Sequence, residues 1–341
     1  MIKNFNNKNE IDIIEDDIVT KYPEVLDILL QDRTTDRNIF WATDNYQGLG
    51  SHYQFSSPIK IKLITGLNGK VIMPRVLKNK ILQKTRVKDM AEVYTPSWIC
   101  NAQNNLIDSA WFQKENVFNG KVKLSDDNYG WKANPKRILF SKKKTWEHYV
   151  EDKRLEIACG EAPYITSRYD ITTGKFIPVK ERIGILDRKL RVVNENVGTS
   201  EKWLKSAQIA FKNTYAYEWQ GDSLLLAREA MLRTFIENYT LKFNKEPSLK
   251  SIQNIAYIIS WNVWQMDGLK GVVPNSCVEK NSTTINLFGK NKTKTSTCIG
   301  CENNDLVKHN GIYCMIKDWS KIDNQTGKKG QKIRFIDLIQ N

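Results

Sequence analysis

The sequence predicts an α/β fold, a sheet with helices packed on both faces, followed by a small β-rich module. Three observations carry this. Short apolar or aromatic runs at 155–157, 215–217 and 262–266 read as strands that run into turns. Between them stand segments with helical hydrophobic spacing, and strands alternating with helices build α/β sheets. After about Gly271 the texture changes to a polar, Thr-, Asn- and Lys-rich sequence with short β-like runs.

The elements follow in order. A helix is expected over 22–30, starting at Pro23, and a polar stretch then leads into Ile39, Phe40 and Trp41. From residue 97 the pattern turns helical, with Ile99, Ala102, Leu106 and Ala110 at three- and four-residue spacing behind a Pro96-Ser97 start. Residues 180–196 repeat Ile183, Leu186, Leu190 and Val193 as an amphipathic helix. Thr199 or Ser200 caps the next, which turns Trp203, Leu204, Ala207 and Phe211 inward. Gly221-Asp222 opens a long helix, and another spans 249–259. The β-like runs of the last region are 284–288, 311–319 and 332–339. Three regions result: a basic, aromatic one over 1–90, the α/β domain over 91–275, and the small module over 276–341.

A chain of 341 residues with 40% apolar side chains and ten Trp can fill a core. The formal charge of +14 and pI near 9.3 favour a polyanionic partner, double-stranded DNA first, although a generically basic protein has the same balance. Two basic runs, 66–90 and 121–154, bracket Tyr94-Thr95-Pro96 and suggest a DNA-facing side. No stretch approaches the roughly 20 apolar residues of a membrane span. The Asn-rich, acidic N-terminus does not read as a signal peptide. Six cysteines without an export signal imply free thiols and a cytoplasmic protein.

Ligands of open α/β sheets bind beyond the carboxyl ends of the strands. Three such ends are visible here: Ala158-Cys159-Gly160, Glu218 and Asp267. The turn brings backbone N–H groups close to a nucleotide-like ligand. Glu218 is placed to accept both hydroxyls of a ribose, and Asp267 to accept from an exocyclic amine. Each acid alone is also an ordinary surface group at a strand end.

The order Tyr94-Thr95-Pro96, Glu156-Ile157-Ala158-Cys159-Gly160, Glu218 and Asp267-Gly268-Leu269 resembles the amino half of a gamma-class adenine DNA methyltransferase of restriction-modification systems, over residues 85–275. The resemblance implies a Rossmann-like sheet that binds S-adenosylmethionine. The methionine end would meet Tyr94, Thr95 and Pro96. The turn beneath the cofactor would be Glu156, Ala158, Cys159, Gly160, Glu161 and Ala162; the ribose would meet Glu218 and the adenine Asp267. Ile157, Glu161 and Ala162 depart from the family's Pro, Ser and second Gly. The family's Asn/Asp/Ser-Pro-Pro-Tyr/Phe loop, which holds the flipped base, occurs nowhere in the sequence. The resemblance therefore implies a split enzyme, whose catalytic loop comes from a separately encoded partner chain. A non-catalytic DNA-binding or assembly subunit that has lost the cofactor is the alternative.

Cys298-Ile299-Gly300-Cys301 has the spacing of a zinc knuckle. Cys277 and Cys314 complete a four-thiolate set, with His309 a substitute for Cys314; unligated buried cysteines are the alternative. The Cys-x-x-Cys opens no predicted helix, which argues against redox activity. Cys100 and Cys159 read as small core residues. Neither a nuclease carboxylate core nor a Ser/His/Asp arrangement is apparent.

Overall fold

A computed structural model describes residues 15–78, 95–125, 128–285 and 291–339. The chain opens with helices α1 (Glu15–Lys21) and α2 (Val25–Leu30) and a short hairpin of β1 (Gln31–Asp32) and β2 (Arg37–Asn38). The expected helix over 22–30 is thus only its second half. Irregular turns follow to residue 78. Next come α3 (Ser97–Phe112), the antiparallel pair β3 (Asn119–Ser125) and β4 (Asn128–Ala133), α4 (Trp146–Glu151) and β5 (Arg154–Glu156). Helices α5 (Ile185–Asn196) and α6 (Ser200–Lys212) lead to β6 (Thr214–Glu218). Helices α7 (Gly221–Phe243) and α8 (Leu249–Asn262) lead to β7 (Val263–Gln265). The last region contains β8 (Lys280–Ile285), β9 (Asn291–Ser296), the one-turn α9 (Ile299–Asn303), β10 (Met315–Ile322) and β11 (Lys329–Arg334).

Strands β5, β6 and β7 form a parallel sheet in that order, with Glu156 opposite Ala216 and Glu218 opposite Gln265. A helix pair connects each strand to the next, as parallel pairing requires. Along β6, Thr214, Ala216 and Glu218 are buried. Ala216 and Val263 join the main core, which α5 to α8 fill with Leu186, Trp203, Phe211, Leu232 and Phe235.

The other face differs from expectation. Tyr215, Tyr217 and Trp264 meet Cys314, Ile316 and Phe335 in a second core, so that β10, β11 and the turn after them cover the face where helices are expected. Their sequence alternates in period 2, with Ile316 and Asp318 buried along β10, and a hairpin can bury one face in this way.

The third strand begins later than the sequence suggests. Trp261 and Asn262 finish α8 because the Asn262 side chain has a task there: its amide donates to Phe211 O at 2.9 Å and Thr214 O at 3.1 Å. It thereby satisfies carbonyls at the end of α6 and the start of β6. Among the described residues no helix is long and apolar enough to cross a membrane.

Candidate cofactor site and metal centre

After Glu156 the chain makes a turn with left-handed backbone at every second residue: Ala158 (φ 45°), Gly160 (φ 54°) and Ala162 (φ 58°). Gly160 adopts this freely. Each alanine costs about 1–2 kcal/mol, and Ala162 adopts a conformation that favours glycine. The turn is fixed from both sides, which sustains the strain. Cys159 N–H donates to Tyr217 O at 2.9 Å and Ala162 N–H to Cys159 O at 2.7 Å. Glu218 Oε2 accepts from Gly160 N–H at 2.8 Å. Glu156 accepts from Tyr164 N–H at 3.3 Å and Ile165 N–H at 3.1 Å.

Two buried carboxyl groups thus hold the turn rather than lying open beside it. Burial, helped by the charge of Glu218 and opposed by the two N–H groups, pushes the Glu156 carboxyl up to about 8 from 4.5. Glu218 is also raised by burial, against its backbone contacts to Gly160, Gln220 and Trp219. A raised carboxyl pKa means that the folded state binds more protons than the unfolded one between roughly pH 4.5 and 8. Stability therefore falls as pH rises through that window. We expect wild type to lose roughly 2–4 kcal/mol more than Glu156→Gln between pH 5 and pH 8. Urea midpoints at the two pH values measure this, and equal losses in both proteins would refute it.

The remaining expected cofactor residues divide into two groups. Thr95 and Pro96 stand at the start of α3, where Cys100 Sγ lies 3.5 Å from Thr95 O. Helix α3 is fastened to the turn by Asn104, whose amide donates to Tyr164 O at 3.0 Å and Ile183 O at 3.1 Å. Thr95 hydrogen-bonds the Tyr164 side chain, two residues beyond the turn, and Pro96 follows it in the chain; Tyr94 lies outside the described residues. Glu161 points elsewhere: it is buried, and its carboxylate accepts from Arg75 N–H at 2.7 Å and Tyr169 Oη–H at 2.8 Å. The negative charge expected near a cofactor instead ties the 75–78 turn to the sheet. Cys159 is a buried thiol held well above its ordinary range by burial, in keeping with its reading as a core residue.

Asp267 lies two residues past the end of β7 and closes a local turn. Its Oδ1 accepts from Leu269 N–H at 3.0 Å, Lys270 Nζ lies 3.5 Å from Oδ2, and its own N–H donates to Val272 O at 2.8 Å. Gly268 lies flat on Tyr217; a Cβ there would come within 2.6 Å of the ring. Since Met266 N–H donates to Glu218 O at 2.9 Å, the Asp267 turn is held beside the end of β6. The sheet thus brings the 158–162 turn, Glu218 and Asp267 to one end.

A second centre lies next to this turn. The ligand atoms of Cys277, Cys298, Cys301 and His309 lie within 4.8 Å of one another. His309 Nδ1 is 3.6 Å from each of the three sulfurs. Bonds of about 2.3 Å to sulfur and about 2.0 Å to nitrogen, at tetrahedral angles, separate the two by about 3.5 Å. The cluster therefore has the dimensions to hold a metal ion such as zinc. Gly300 is required for close approach, since a Cβ there would meet His309 N at 2.6 Å. Asn310 N–H points at Cys298 Sγ from 3.2 Å, a contact that favours thiolate. Burial opposes ionisation of Cys298, but the N–H groups of Asn310 and Cys301, with His309 and Cys277, bring its thiol down to about 6. Contrary to expectation, the Cys-x-x-Cys does open a helix, because Cys298 is the N-cap of α9.

Cys314 is not a ligand. It is fully buried in the second core with Sγ 3.3 Å from Gln265 O, and burial holds its thiol well above the ordinary range. Strand β10 starts directly after it and carries it into the sheet's second core, whereas His309 belongs to the loop that folds back over Gly300. A histidine shortly after a Cys-x-x-Cys is the sequence signal for this corner.

The chain matches no family model, no curated protein and no solved structure. The metal cluster and the Asp267 turn share a backbone: Val272 bridges both Asp267 and Tyr313, and Tyr313 Oη accepts from His309 N–H at 2.9 Å.

Proposed function

We propose that this chain is the cofactor-binding subunit of an adenine-specific DNA methyltransferase of a restriction-modification system, with a Rossmann-like sheet that binds S-adenosylmethionine. One observation carries the reading: a parallel sheet gathers the left-handed 158–162 turn, Glu218 and Asp267 at the carboxyl ends of its strands, with Thr95 bonded to Tyr164 just beyond the turn. Ligands of such sheets bind at that end. In this reading Glu218 accepts from the ribose while it holds Gly160, Asp267 lies near the adenine, and Glu156 shapes the turn from below. A partner chain supplies the loop that positions the flipped base, and this subunit contributes cofactor alignment. The Cys₃His cluster binds zinc and braces the Asp267 turn.

Equilibrium dialysis with labelled S-adenosylmethionine tests the reading. Wild type is expected to bind, and Glu218→Ala to bind at least 10-fold more weakly, the equivalent of about 1.4 kcal/mol or more. Absence of binding by wild type would overturn it. One feature favours the other reading, a non-catalytic DNA-binding or assembly subunit: Glu218, Glu161 and Asp267 already have protein partners. Failed dialysis with retained DNA binding is the result that reading expects.

A further inference from the structure

We infer that the amino-terminal end of the parallel sheet, opposite the cofactor turn, is a docking face for the phosphate backbone of DNA. The inference rests on the proposed function only in taking DNA as the polyanion; the duplex held here is a stretch flanking the target base, which the proposed function places at the other end of the sheet.

The face is built where α8 ends and the β10–β11 hairpin crosses it. In the hairpin register Lys317 stands directly opposite Lys332. Like charges so placed repel and destabilise a strand pair. Both ammonium groups gather over one ring, with Lys317 Nζ at 4.9 Å and Lys332 Nζ at 5.8 Å from the Trp261 centroid. Arg33 lies 4.8 Å over Tyr257 from the other side, and Lys212 lies 5.2 Å over Trp319. Trp319 is held in place by Asn262, whose Oδ1 accepts from its indole N–H at 2.7 Å.

Aromatic faces explain how the cations are held, but they do not neutralise them. The carboxylate nearest in sequence, Asp318, is buried on the alternate side of β10 and lies 3.7 Å from both Lys153 and Lys321. Among the described residues, Asp32 and Asp36 act on Arg33, and Asp323, on the exposed turn of the hairpin, acts on Lys317. Burial, then the charges of Lys329 and Lys317, depress the Lys212 ammonium, and among the described residues Arg33, Lys212, Lys317, Lys329 and Lys332 outnumber the carboxylates that act on them. A row of phosphates would relieve the repulsion, and cations fixed by a strand register suit the regular phosphate spacing of a duplex better than an acidic peptide.

Lys212 precedes β6 and Asn262 precedes β7, whereas Glu218 and Asp267 follow the same two strands. The face and the proposed cofactor turn are therefore separable by mutation. The test uses the full chain, fluorescence anisotropy with a duplex of arbitrary sequence, and salt from 50 to 200 mM. Lys317→Ala/Lys332→Ala is expected to bind about 10-fold more weakly at the low-salt end. Its log–log salt slope should be shallower by about 2, since each phosphate contact releases roughly one counterion. Lys212→Ala/Lys329→Ala should act in the same direction, and dialysis with S-adenosylmethionine should be unchanged in both. Wild-type affinity and slope in both double variants, or no duplex binding by wild type, would overturn the face. Failure of wild type to bind S-adenosylmethionine, with the lysine effects intact, would overturn the proposed cofactor and leave the face standing.

Discussion

The wild-type protein is expected to purify with one zinc per chain, and Cys301→Ser and His309→Ala to lose it. Cys314→Ser should retain it. The geometry makes this discriminating, because His309 Nδ1 stands 3.6 Å from three sulfurs while Cys314 lies against Gln265 O in another core. Structural zinc contributes roughly 10 kcal/mol or more in zinc-finger-sized sites, and its binding energy is folding energy there. The loop structure over 297–313 has few alternatives: α9 is a single turn, and His309 is otherwise held by Tyr313. Metal loss should therefore lower the thermal midpoint and open this region to proteolysis. Because Val272 pairs with both Tyr313 and Asp267, chelation should also weaken binding of S-adenosylmethionine. Metal analysis with a colorimetric zinc indicator decides the first point. Zinc retained by His309→Ala but lost from Cys314→Ser would refute the assignment.

Arg228→Leu should be strongly destabilising, because Arg228 ties helices to the sheet. Arg228 is fully buried in α7 and replaces with one side chain what several caps do elsewhere. Its guanidinium donates to Val263 O at 2.8 Å, Gln31 O at 3.1 Å and Ser260 O at 3.4 Å, and also to Leu29 O. It thus serves carbonyls at the end of α2, the end of α8 and the start of β7. Burial pushes the group down to about 9, so it stays charged at neutral pH. Leucine would leave these carbonyls without a donor in the interior, at about 1–3 kcal/mol each. Relaxation and water entry offset part of that, and we expect a net loss of about 4–5 kcal/mol. Urea unfolding measures it; a loss below about 1 kcal/mol would show that the carbonyls find other partners. Arg228→Lys should recover only part, because an ammonium has three donors and no planar fork.

Much of the scaffold was legible locally. The helical spacing of Leu186, Leu190 and Val193 and the aromatic run at Tyr215 to Tyr217 correspond to observed elements, although α5 begins at Ile185 rather than at 180 and Ile183 precedes it. Boundaries failed where one side chain had a distant role. Asn262 reads as the start of a strand, yet it ends α8 because its amide serves α6 and β6. Glu161 is a comparable case. Its place in the turn suggests a charge facing a ligand, and the partners that turn it away, Arg75 and Tyr169, come from other segments.

The sequence by itself determined the alternation of strands and helices, the order of the acidic groups along the chain, the basic balance and the pairing of Cys298 with Cys301. These depend on periodicity and spacing, which are properties of neighbours. Only the tertiary structure decided that His309 rather than Cys314 completes the metal cluster and that a hairpin covers the second face of the sheet. It also decided that Glu156 and Glu218 clasp the turn between them. Those outcomes depend on where long loops close, and closure is set by the packing of the whole chain rather than by the residues that meet there.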